Sequence, residues 1–125
     1  MSSSIETLVD PHLAAYSGPD AASRLRAIGR IWHPQGRLVD PPLESAGHPG
    51  LSEQAAALLA QFPGHRSVRT TSIDHHHDFA RYGWALRNAG GVAVLDGVDF
   101  LSLDVDGRIL QVVGFLGPQQ GLSDA

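Results

Sequence analysis

The sequence predicts an α+β fold, a cone-shaped, strongly curved antiparallel β-sheet covered by three N-terminal helices. Three observations carry that expectation. Apolar residues recur at helical spacing in three stretches of the first half. Three long extended runs, Asp78–Asn88, Val92–Leu103 and Arg108–Gly117, close the chain. Asn88-Ala89-Gly90-Gly91 and Asp104-Val105-Asp106-Gly107 separate them, and these residue types tolerate the positive φ of tight turns. Each run reaches roughly 35 Å at about 3.3 Å per residue, too long to lie flat. Gly83, Gly97 and Gly114 sit inside the runs, where bends or bulges are cheapest. A coiled sheet of this kind needs a cover on its concave face. Helices bunched ahead of a meander mean α+β rather than a doubly wound α/β fold.

Taken in order, Ile5, Leu8, Val9, His12, Leu13 and Tyr16 fall on one face of a first helix. Ser3 and Glu6 have capping-box spacing, and Pro11 predicts a kink or a start near residues 7–10. Ser17-Gly18-Pro19-Asp20 stops that helix and opens a second, lined by Leu25, Ile28, Ile31 and Trp32 and ended by His33-Pro34. Gly36–Asp40 reads as a short strand turned by Pro41-Pro42, with Leu43–Ala46 pairing back on it as an edge. A third helix follows His48-Pro49-Gly50, with Leu51, Ala55, Leu58, Leu59 and Phe62 on its apolar face, and Pro63-Gly64 terminates it. Arg66–Asp74 is a fourth long extended run, joined by a hairpin at 74–78 to the closing meander.

The chain of 125 residues reads as a single domain (1–125), able to bury roughly two thirds of its unfolded surface. A net charge of −4, with nine scattered Arg and no Lys, offers no stripe to follow a phosphate backbone, so nucleic acid is not an expected partner. Without Cys there are no disulfides or thiolate chemistry. No apolar stretch of membrane-spanning length and no secretory signal is present, so a cytoplasmic protein with no membrane association is expected. Walker, dinucleotide, nucleophile-elbow and zinc-protease motifs are missing as well, and no cofactor is expected.

Three stretches carry a resemblance: Gly36-Arg37-Leu38-Val39-Asp40-Pro41, Phe62-Pro63-Gly64, and Val98 to Ile109 with its aspartate-rich turn. Together with the element order they make the chain resemble the nuclear transport factor 2-like superfamily. That group includes ketosteroid isomerase and the SnoaL-like polyketide cyclases. The resemblance extends to small bacterial members that carry a His-His-Asp turn, here His76-His77-Asp78 followed by Arg81 and Trp84. It implies a cystatin-like α+β barrel around an apolar pocket, a hydrophobic small-molecule ligand, and a homodimer formed through the outer sheet face. In the isomerases an Asp before Pro on the short first strand is the proton-shuttling base, the position of Asp40-Pro41. A second, protonated Asp on a long strand donates to the substrate oxyanion, the position of Asp99. Those enzymes also use a Tyr on the first helix, whereas this chain has only Tyr16 and Tyr82, with Tyr16 at its helix end.

Each candidate has a structural alternative. Asp40 is either a pocket carboxylate or the residue that caps the Pro-Pro bend. Alternation puts Asp99 on the inner face with Leu95, Gly97, Leu101 and Leu103, where a buried carboxyl either serves chemistry or takes a structural hydrogen bond. His75-His76-His77 lacks a spaced third ligand, so a solvated turn is expected and no metal, while His76 is placed at the pocket rim as a proton carrier. Tyr16, Trp32, Phe62, Tyr82, Trp84, Leu95 and Phe115 are the candidate ligand contacts, with Phe115 alternatively turned towards a dimer partner. The expected function is cofactor-independent acid–base chemistry on a hydrophobic carbonyl compound, as isomerase, cyclase or dehydratase. The alternatives are a non-catalytic ligand-binding module and a dimeric adaptor of the same fold.

Overall fold

Three helices precede the long strands, as the apolar spacing requires: α1 (Glu6–Ala14), α2 (Ala21–Ile31) and, after the first hairpin, α3 (Gly47–Gln61). The computed structural model describes residues 4–15, 20–41, 43–117 and 122. The strands are β1 (Trp32–Asp40), β2 (Leu43–Ala46), β3 (Arg66–Arg69), β4 (Asp74–His76), β5 (Phe79–Arg87), β6 (Ala93–Leu103) and β7 (Ile109–Leu116). Among the described residues no helix is long and apolar enough to cross a membrane.

Local chemistry accounts for most boundaries. Pro11 lies within α1 without ending it. Ser3, half of the expected capping box, lies outside the described residues, and the Ser4 carbonyl accepts from the Thr7 amide and hydroxyl. Asp20 caps α2 by accepting from the Ser23 amide at 2.8 Å. The buried side of α2 is Arg24, Ile28 and Ile31, while Leu25 is exposed, so the expected stripe is rotated. Arg24 is kept inside by a 3.2 Å bond from its Nε to Ser52 Oγ on α3. Trp32 leaves the helix and begins β1, which is longer than its Gly36–Asp40 core.

The seven strands form one sheet in the order β2-β1-β7-β6-β5-β3, with β4 also pairing to β5. The sheet is strongly curved and stays open. The expected fourth long strand is divided: β3 and β4 pair with successive parts of β5, and the Thr71 hydroxyl accepts from the Gly83 amide across the gap. One pairing departs from the antiparallel pattern. β1 runs parallel to β7, with Leu38 opposite Val112 and Val39 opposite Val113. A parallel pair needs a long connection, and the chain between β1 and β7 supplies it. The core, with Val9, Leu13, Ile28, Trp32, Leu38 and Val112 among its members, fills the space between sheet and helices.

Candidate active site

The parallel pairing decides the site. Val39 opposite Val113 brings Asp40, the last residue of β1, alongside Gly114 of β7. Gly114 in turn is paired with Asp99 of β6. Two carboxyls from strands that do not touch therefore converge over a residue with no side chain. A Cβ at position 114 would overlap Asp40 Oδ1 and stand 3.0 Å from Asp99 Oδ1. The two oxygens are thus no more than about 5 Å apart, close enough for each charge to feel the other. Gly97 does a similar service for Trp84, whose indole Cζ2 would lie 2.9 Å from an added Cβ.

Above the acids lies a cavity of about 300 Å³, between the concave face and helices α1 and α3. The sheet side supplies Leu38, Ser67, Trp84, Leu86 and Leu95 besides Asp40 and Asp99, and the helices supply His12, Leu13, Gln54, Leu58 and Gln61. Leu43 and Leu116 also line it and are about half exposed, which marks the mouth. Apolar walls with a few convergent polar groups make a small-molecule site.

Burial sets the electrostatics. Asp99 is 5% exposed, and its pKa is pushed up to about 7, first by burial and next by the negative charge of Asp40. The Tyr82 hydroxyl opposes that shift by donating to Asp99 Oδ2 at 2.9 Å. The Trp84 indole pulls the same way without closing a well-formed hydrogen bond, since its Nε1 is buried and unpartnered among the described residues. Burial also raises Asp40, which is only partly covered. A buried carboxyl beside a second carboxylate keeps its proton, because two like charges cannot both form cheaply in a low dielectric.

Of the sequence candidates, Asp40, Asp99, Phe62, Trp84 and Leu95 meet in this cavity. Tyr82 stands behind it and holds Asp99. Trp32, expected as a ligand contact, is 1% exposed and belongs to the core, beneath the ring of His12 at 5.5 Å between centroids. Phe115 faces outward, 57% exposed and edge-on to Phe100, because β-alternation puts it opposite Gly114 in direction. His76 sits on the exposed β4 edge against His77 and Phe79, away from the acids. Tyr16 lies outside the described residues. His12 is the group that sequence reading placed on a core face and not in the site. Burial lowers its pKa to about 4, so it is a neutral imidazole. The available signal was a polar ring in an otherwise apolar stripe. Among the described residues no three His, Cys, Asp or Glu side chains gather to hold a metal ion.

No family model and no curated protein matches the chain. Solved structures do. A SnoaL-like family protein from Agrobacterium tumefaciens, provisionally named an isomerase, is 36% identical over 90% of this chain and 96% of its own, with a TM-score of 0.84. A protein of ketosteroid isomerase-like fold from Catenulispora acidiphila, crystallised in complex with trimethylamine, is 16% identical over 90% of this chain and 86% of its own, with a TM-score of 0.70. A SnoaL-like protein from Jannaschia sp. CCS1, provisionally named a polyketide cyclase, is 16% identical over 93% and 90% of the two chains, with a TM-score of 0.67. The last two likenesses speak for the fold alone.

Proposed function

Because the chain belongs to the SnoaL-like family, we propose that it is a cofactor-independent acid–base enzyme acting on a small hydrophobic carbonyl compound. The observation that carries this reading is the convergence of Asp40 and Asp99 over Gly114 at the base of an apolar cavity. Asp40, the more open of the two, is the base and takes a proton from the carbon beside the carbonyl. Asp99, mostly protonated below about pH 7, donates a hydrogen bond to the carbonyl oxygen as negative charge gathers there. The charge on Asp40 helps to keep the proton on Asp99. Return of the proton to another carbon gives isomerisation. Loss of a β-hydroxyl gives dehydration, and attack of the enolate on a second carbonyl gives cyclisation.

The test is proton exchange. Small aryl and alicyclic ketones are incubated with the protein in heavy water, and loss of the α-proton signal is followed by NMR. Asp40→Asn should abolish exchange, and Asp99→Asn should slow it roughly 100-fold or more, the usual cost of an oxyanion donor. Exchange at the wild-type rate in Asp40→Asn would sink the proposal. Ketones that bind with no exchange in the wild type would instead favour a ligand-holding module, a reading that the apolar lining also supports.

The protein acts as a homodimer through the outer sheet face in this reading. Phe79, Phe100 and Phe115 are each 44–58% exposed there, and Phe100 meets Phe115 edge-on at 5.8 Å between centroids. A contiguous aromatic patch of that kind is costly to leave in water.

A further inference from the structure

Asp99 shares the sheet side of the cavity with the indole of Trp84. We infer that Trp84 is a second hydrogen-bond donor for the ligand's carbonyl oxygen, so that Asp99 and the indole N–H hold one oxygen between them. The part given to Asp99 rests on the reading above, and the part given to Trp84 stands on the strand register.

The register sets the two groups next to each other. Trp84 of β5 is paired with Gly97 of β6, and Tyr82, two residues earlier on β5, is paired with Asp99. Gly97 and Asp99 therefore share one face, about 7 Å apart along the strand. Gly97 has no side chain, and the indole occupies that place: a Cβ there would stand 2.9 Å from Cζ2 and 3.1 Å from Cε2. Nε1 is bonded to Cε2, so it too lies beside the Gly97 position. That nitrogen is buried and has no hydrogen-bond partner among the described residues. An indole nitrogen can only donate, and a buried N–H left unpaired is costly. Asp99 Oδ2 already accepts from the Tyr82 hydroxyl at 2.9 Å, which leaves Oδ1, on the Gly114 side, to carry the proton. Two donors thus stand at neighbouring positions of one face and lack an acceptor. Hydrogen bonds of an active site commonly close only when the ligand is in place. A carbonyl oxygen has two lone pairs and accepts from both, and the bonds strengthen as an enolate gathers charge.

Acetophenone and α-methylstyrene test the inference. The two compounds have the same outline and differ in an oxygen against a methylene, so the effect of their ring on nearby signals cancels between them. The indole N–H signals are followed by ¹⁵N-edited NMR as each compound is added. The chain has two Trp, and Trp32, 1% exposed in the core, is the internal control. The Trp84 proton should move to higher frequency with acetophenone than with α-methylstyrene, a readout that needs no variant to fold. By calorimetry the ketone should bind roughly 20-fold tighter than the alkene, from two hydrogen bonds at about fivefold each. Trp84→Phe should cut that ratio about fivefold, and a change in cavity size cancels because both compounds are measured in each variant. A Trp84 signal that answers both compounds alike, or a ratio that Trp84→Phe leaves whole, overturns the inference. A ratio that Asp99→Leu leaves whole overturns the acid-pair reading instead, and the Trp84 signal of the wild type is read independently of it.

Discussion

Asp99 and His12 give the protein two opposed proton linkages in one pH window. The Asp99 carboxyl titrates at its ordinary 3.8 in the unfolded chain and near 7 in the folded one. Between those values the folded state holds a proton that the unfolded state has lost, so stability falls as pH rises and the loss is complete above about 7. Asp40, also raised by burial, adds to that slope. His12 runs the other way, from 6.5 unfolded to about 4 folded. There the unfolded chain holds the extra proton, so stability falls as pH drops and the loss is complete below about 4. Thermal unfolding should therefore separate the two groups. The Tm of Asp99→Asn should rise from pH 4 to 6.5, and the Tm of His12→Gln should fall from pH 4 to 7, with the wild type flatter than both. Three parallel curves would contradict the burial of both groups. In the proposed acid–base reading Asp99 acts protonated, so turnover should decline as pH passes about 7.

At the scale of elements, the site depends on three adjacent strands in fixed register, β1, β7 and β6, carrying Asp40, Gly114 and Asp99 side by side. A one-residue slip of any of them would turn its member to the outer face. Gly114 is where that register is most tightly constrained, because a methyl group there occupies the place of the Asp40 carboxyl. Gly114→Ala should therefore cost about 1–3 kcal/mol in chemical denaturation, the usual toll of overpacking, and should abolish ligand binding by displacing Asp40. A variant with unchanged affinity for acetophenone would show that the two acids do not share the floor of the cavity. The helices act as a lid of fixed shape. Asp20 caps α2, and Arg24 ties α2 to Ser52 of α3, so the wall that carries Gln54 is braced from behind.

At the scale of the molecule, one sheet has two different faces. The concave face meets the helices and holds the cavity, while the convex face presents Phe79, Phe100 and Phe115. Arg81 lies on that outer side in an exposed 2.8 Å ion pair with Asp74, a contact that contributes little to stability in water. Two such faces packed on one another give a two-fold dimer in which the cavities stay independent. Sedimentation equilibrium should find a dimer, and Phe100→Ser combined with Phe115→Ser should shift it to monomer without loss of helix or strand signal. A wild-type monomer at micromolar concentration would remove the dimer from the picture.

Local patterns determined the elements. Helical spacing located α1, α2 and α3, and turn residues at 88–91 and 104–107 located the meander, because periodicity and φ preference act within a few residues. Alternation along β6 put Asp99 inside together with Leu95, for the same local reason. Three features lay beyond that reach: the parallel β1–β7 pairing, the division of β3 from β4 and the burial of Trp32. Each depends on which distant strand or helix lies alongside, and a residue carries no record of that in its immediate neighbours. The value near 7 for Asp99 belongs to the same class, since it arises from the water excluded and the charge brought close when Asp40, 59 positions earlier, folds against Gly114. The sequence determined which groups were present and, for Asp99 and Leu95 along β6, on which face they stood, and only the tertiary structure decided which groups would meet.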